Sequence, residues 1–137
     1  MQYYQTKAEK IPGTDFKEIY KKSRQFYSGI EKRSKRRAHV RSRYFRKNKI
    51  FLGLFWQHIF EKKNYEDQMR RMKFLPCAIE LIQNSHFDPI SGENPNKKSE
   101  MLHRFYGQTP LKEVFVVQIK EDKNNGEKFL ISVFPVK

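Results

Sequence analysis

The sequence predicts an α+β protein, with N-terminal helices packed on a small C-terminal antiparallel sheet. Three observations predict it. Apolar residues recur at helical spacing from Phe16 to Ile82. The period changes to two after a polar loop at 85–99. An Asn124-Asn125-Gly126 turn signal then separates two alternating stretches.

Residues 1–13 read as a flexible arm ending at Pro12-Gly13. Thr14 or Asp15 caps the first helix, and Glu18 is placed to complete a capping box from Asp15. Phe16, Ile19, Tyr20, Phe26, Tyr27 and Ile30 keep helical spacing, so this helix runs to about residue 28, with Gly29 placed to end it. Residues 14–49 form a basic helical segment. Its second half, 32–49, carries ten Lys or Arg and no acid, with His39, Val40, Tyr44 and Phe45 interleaved. A bare charge run is a solvated tail, whereas interleaved rings suit a segment that docks or stacks. The conformation of this stretch stays open, and Asn48 is placed to cap the next helix.

Residues 50–137 form an α+β region, and the whole chain reads as one domain. Residues 50–63 are apolar around most of a helix, with Phe51, Phe55, His58 and Lys62 on one face. A third helical stretch spans about 65–84, and Pro76 divides it into pieces near 65–74 and 76–84, with Met69, Met72, Ile79 and Ile82 facing the core. Strands come next at Leu102–Gln108, Lys112–Glu121 and Glu127–Phe134. On the second, Val114, Val116, Gln118 and Lys120 face one way, and Phe115, Val117 and Ile119 the other.

Charge directs the functional reading. Of 137 residues, 29 are Lys or Arg against 15 Asp or Glu, a formal net charge of +14. Self-repulsion on that scale opposes a compact state unless a polyanion relieves it. The expected partner is a polyanion, either a nucleic acid (RNA or DNA) or an anionic membrane surface, gripped by Arg36, Arg37, Arg41, Arg43, Arg46 and Lys47 of the basic block. Aromatic residues reach 15% and hydrophobic residues only 37%, so a few large rings must build the core. The single cysteine, Cys77, excludes an intrachain disulfide framework and fits a reducing compartment. No stretch approaches the ~18 apolar residues of a membrane span, so a cytoplasmic protein without membrane contact is expected.

The four His show no metal-ligand spacing, and neither a Gly-rich phosphate loop nor a Gly-x-Ser-x-Gly elbow occurs, so no metal or cofactor is expected. There remain side chains suited to metal-free chemistry. His58 and Lys62 stand four residues apart on one helical face. A neutral imidazole can accept a proton near pH 7, and a nearby ammonium can stabilise a developing negative charge. The same spacing also suits a packed, hydrogen-bonded histidine. Arg104 and Tyr106 share one face of the first strand, Thr109 comes after the Gly107-Gln108 bend, and Ser132 lies in the last strand. Each hydroxyl is either part of a cleft or a satisfied strand hydroxyl.

Four segments resemble, in order, the small nucleases of phages and mobile elements in the superfold of barnase, EndoU, the tRNA-cleaving colicins and the RelE-type toxins. They are Gln57-His58-Ile59-Phe60-Glu61-Lys62-Lys63, the run Arg71 to Ile82, Leu102 to Thr109, and Phe129 to Pro135. The resemblance covers residues 56–135. It implies a barnase/RelE-like fold and a toxin-like endoribonuclease that needs no metal. His58 would be the base, Lys62 or Lys63 and Arg71 the phosphate contacts, and Thr109 and Ser132 the cleft hydroxyls. No acid sits where the barnase branch carries a strand glutamate base, which leaves His58, with His103 in reserve. The implied reaction is attack of the RNA 2′-hydroxyl on the adjacent phosphorus, giving a 2′,3′-cyclic phosphate. Two other readings rest on the basic block: a nucleic-acid-binding protein without catalysis, and a module that binds an acidic protein, such as an antitoxin or a nuclease it inhibits.

Overall fold

The computed structural model describes residues 2–61 and 63–136. In chain order it contains β1 (Tyr4–Gln5), α1 (Phe16–Arg33), β2 (His39–Arg41), β3 (Lys49–Phe51), α2 (Gly53–Glu61), α3 (Tyr65–Lys73), α4 (Leu75–Asn84), β4 (Ile90–Asn94), β5 (Lys97–Gln108), β6 (Val114–Asp122) and β7 (Lys128–Pro135).

Asp15 caps α1, its side chain accepting from the Glu18 N–H at 3.2 Å. The helix runs through Gly29 because Ile30 continues the buried stripe of Ile19, Ser23 and Tyr27. Asn64 caps α3. The break before α4 falls at Phe74, and Pro76 lies in the first turn of α4, where a missing N–H breaks no helical bond.

The class is α+β, but the layout corrects the expected one. N-terminal helices do not sit on a small C-terminal antiparallel sheet in the barnase/RelE manner. One seven-stranded mixed sheet forms instead, ordered β1-β5-β6-β7-β3-β2, with β4 also paired to β5. The N-terminal half of the chain supplies three of its strands. β1 lies parallel to β5, β3 lies parallel to β7, and β2 pairs antiparallel with β3. The C-terminal hairpins leave unpaired N–H and C=O groups along their outer edges, and extended segments from upstream satisfy them. Val40 and Ile50 anchor β2 and β3 by burying their side chains among charged neighbours. For the same reason α2 starts at Gly53: Ile50 and Phe51 pair with Lys128 and Phe129 of β7.

The sheet has two unlike faces. Phe105, Phe115, Val117, Ile119, Leu130 and Val133 pack with the helices in a single core. The opposite face carries the alternate residues. Cross-strand register aligns Tyr106 with Val116 and Phe134, Arg104 with Gln118 and Ser132, and Leu102 with Lys120 and Phe129. Val116 is only 2% exposed yet stands outside the helix-side core, so its own row covers it. β7 bulges at Ile131, where the register passes from Gln118↔Ser132 to Ile119↔Leu130. β3 pairs with β7 only at Lys128 and Phe129, and beyond them α2 and α3 pack along the strand.

Candidate nucleic-acid interface and cleft

Where α2 and α3 meet β7, a cleft of about 210 Å³ is lined by Phe55, His58, Ile59, Arg71, Gln118, Ile131, Ser132 and Val133. Three of the residues singled out in the sequence thus reach one place from three elements. His58 comes from the last turn of α2, Arg71 from α3, and Ser132 from the bulge of β7.

Arg71 organises the cleft. Its Nη1 donates to Ser132 Oγ at 2.7 Å, and its Nε donates to Asp67 Oδ2, one helical turn back, at 3.0 Å. Its guanidinium also lies 5.4 Å from the centre of the Phe134 ring. These contacts use only part of its five N–H donors, so an anion in the cleft still finds donors. Because Ser132 Oγ accepts from Arg71, the Ser132 O–H remains to donate.

His58 has a half-open side chain, and its Nδ1 stands 3.4 Å from Glu61 Oε2. No hydrogen bond fixes the His58 tautomer among the described residues, and a neutral imidazole presents one ring nitrogen with a free lone pair in either form. Gln118 is half-buried, and its side chain makes no hydrogen bond among the described residues. Among the described residues no carboxylate lines the cleft.

Other expected site residues lie elsewhere. Thr109 is 0% exposed; it closes the β5–β6 turn by accepting from the Glu113 N–H at 3.2 Å. By strand rise it is roughly 17 Å along the chain from the Arg104–Gln118–Ser132 row. It is a satisfied structural hydroxyl. Lys62 lies outside the described residues, and Lys63 stands just after α2 as an exposed side chain. His103 is buried on the helix side with both ring nitrogens engaged, Nδ1 with Ser91 Oγ at 2.6 Å and Nε2 with Glu121 Oε1 at 2.7 Å. Glu121 continues to the buried Lys128, which donates to Asn48 Oδ1 at 3.0 Å, so Asn48 braces a turn and caps no helix.

The basic block divides by role. Arg43 is structural: its backbone N–H donates to the Ile82 carbonyl and its Nη1 to that of Asn84, which places a cation at the C-terminus of α4. Arg41 braces the β2–β3 turn through the Lys47 carbonyl at 3.0 Å. Arg46 and Lys47 sit on that turn with φ of 55° and 70°, both exposed. Arg37 lies 3.7 Å from the Phe51 ring centre and pairs with Glu127 at 2.7 Å. Arg36 is exposed, and with Arg37, His39, Lys49 and Phe51 it lines a second, larger concavity of about 390 Å³. Arg104 is exposed on the uncovered sheet face, with no ion pair or hydrogen bond among the described residues.

Among the described residues no group of three His, Cys, Asp or Glu side chains is placed to hold a metal ion, and no helix is long and apolar enough to cross a membrane. No protein-family profile matches the sequence, and no curated protein and no solved structure shows significant similarity to it.

Proposed function

We propose that the protein is a metal-independent endoribonuclease whose cutting centre is the His58–Arg71–Ser132 cleft. The observation that carries this reading is the convergence of a half-open imidazole, a guanidinium and a serine hydroxyl from three elements on one concavity. The cleft is smaller than the ~300 Å³ at which pockets begin to enclose a ligand, so it suits a phosphate group whose sugar and base lie outside. The neutral His58 imidazole removes the 2′-hydroxyl proton. The 2′ oxygen attacks the adjacent phosphorus, the bond to the 5′ oxygen breaks, and that oxygen takes a proton from water. Arg71 and the Ser132 O–H carry the charge that grows on the non-bridging oxygens. The products are a 2′,3′-cyclic phosphate and a 5′-hydroxyl; DNA, without the attacking hydroxyl, is bound but not cut. A reducing cytoplasm belongs to the same proposal and suits a buried free Cys77.

The test is incubation of the protein and its His58→Ala variant with total RNA in EDTA, and then analysis of the ends. Cyclic-phosphate ends that fall on the order of 10²–10⁴-fold in the variant support the assignment. Intact RNA with folded protein rules it out.

A second reading, binding without cutting, is favoured by one contact: Asp67 already neutralises part of the Arg71 charge. It predicts salt-sensitive affinity for RNA and no new ends.

A further inference from the structure

The sheet face away from the helices carries three cross-strand rows. Tyr106, Val116 and Phe134 form one, and Leu102, Lys120 and Phe129 another; Phe129 meets Phe51 at a ring separation of 5.8 Å. Between them runs the polar row of Arg104, Gln118 and Ser132. By strand rise neighbouring rows on β5 are roughly 7 Å apart. Cations hold three of the rings, with Arg71 by Phe134, Lys120 by Phe129 and Arg37 by Phe51.

We infer that this face is a stacking platform for single-stranded RNA, which lays bases on the two aromatic rows and passes its backbone beside the polar row into the His58 cleft. The inference rests on RNA as the partner proposed above and adds that the strand must be unpaired. Base faces are accessible to protein rings only in single strands, because a duplex stacks them on each other. The middle row has hydrogen-bonding capacity left over. Arg104 and Gln118 make no side-chain bond among the described residues, and the Ser132 O–H remains to donate. The acids nearest this face form one row, Glu100, Asp122 and Glu127, and each has a partner: Glu100 has Asn94 and Lys120, Asp122 accepts from the Asn124 N–H, and Glu127 pairs with Arg37. With a net charge of +14 on the chain, the complementary occupant is a polyanion with exposed rings.

The platform is tested in the His58→Ala background, which keeps bound RNA intact. Anisotropy titrations use a short mixed-sequence single-stranded RNA, the same sequence as a duplex, and inorganic polyphosphate. The single strand is expected to bind at least about tenfold more tightly than either control. Phe129→Ala and Tyr106→Ala should each weaken single-strand binding by about fivefold to a hundredfold and leave polyphosphate binding unchanged. Arg104→Gln alters an exposed side chain without partners, so it tests the middle row without risk to folding. Equal affinity for single strand and duplex overturns the platform, as does full single-strand affinity in folded Phe129→Ala and Arg104→Gln proteins. If those substitutions, made in protein with His58 intact, leave RNA cutting at its original rate, cleavage stands and the platform falls. If the single-strand preference holds while nothing is cut, the platform stands and cleavage falls.

Discussion

Arg71 and Ser132 are 61 residues apart in sequence, yet the guanidinium donates to the hydroxyl oxygen at 2.7 Å. This bond ties α3 to β7 at the floor of the cleft and fixes which way the Ser132 hydrogen can point. Replacing Arg71 with Lys keeps the charge but loses the fork that reaches Asp67 and Ser132 together. Arg71→Lys should therefore lower RNA cutting on the order of 10²–10³-fold while leaving RNA affinity within a few-fold. Ser132→Ala should cost about 1 kcal/mol of stability and reduce cutting less than Arg71→Lys does. Single-turnover rates with thermal melting separate the two effects.

Glu100 ties the sheet to its charge state. Burial alone would raise its carboxyl, but the Asn94 amide at 3.0 Å and the Lys120 and Lys97 ammonium groups outweigh it and hold the group below the usual range. A carboxylate lowered by folding favours the folded state above its unfolded value, and that contribution is lost as pH falls through the lower folded value. Glu100→Gln should melt at lower temperature than the parent at neutral pH. The gap should close as pH falls from about 4.3 downward. Melting temperature against pH for both proteins checks this.

Cys77 is fully buried, and burial, together with the charges of Glu80 and Glu9, pushes its thiol up to about 12. The thiolate is the reactive form, so the folded protein should resist alkylation at pH 8 and react promptly in denaturant. Mass spectrometry after timed iodoacetamide exposure measures this. Rapid modification of the native protein would contradict the burial.

Gly107 lets two layers meet. A Cβ there would stand 2.5 Å from Phe115 Cζ and 2.9 Å from Leu81 Cδ1, inside the contact limits of a ring and an α4 side chain. Gly107→Ala should destabilise by about 1–3 kcal/mol through overpacking. Each kcal/mol corresponds to roughly 3–5 °C in melting temperature for a domain of this size.

Where one face of an element is buried, the sequence displays it. The α1 stripe, the Asp15 cap and the Phe74–Pro76 break are legible from spacing and residue chemistry alone. The alternation of β6 likewise puts Gln118 beside Val116 and Lys120 on one face. β2 and β3 are not legible, because each has a single core residue, Val40 or Ile50, within a run of cations. Only the unpaired edge of β7 makes strands of them. Ile50 and Phe51 also extend the apolar run of α2, and a short apolar run does not distinguish helix from strand. Thr109 and Ser132 look alike in sequence. Register and the bulge at Ile131 separate them, turning one into a turn hydroxyl and the other toward Arg71. The aromatic rows are hidden for the same reason, since neighbours across strands depend on pairing that no local pattern states.

The parallel pairing of β3 with β7 makes the basic block inseparable from the rest of the chain. Lys128, which pairs with Ile50, lies far downstream of it, so the arrangement of the block depends on the 128–135 segment lying beside it. Contacts between such distant segments form slowly, because a long loop must close before they reward it. Grafting residues 32–49 onto another protein would transfer the charge but not the grip. The orientation of Arg37 over Phe51, and of both toward Phe129, is a property of the assembled sheet and not of a portable tag.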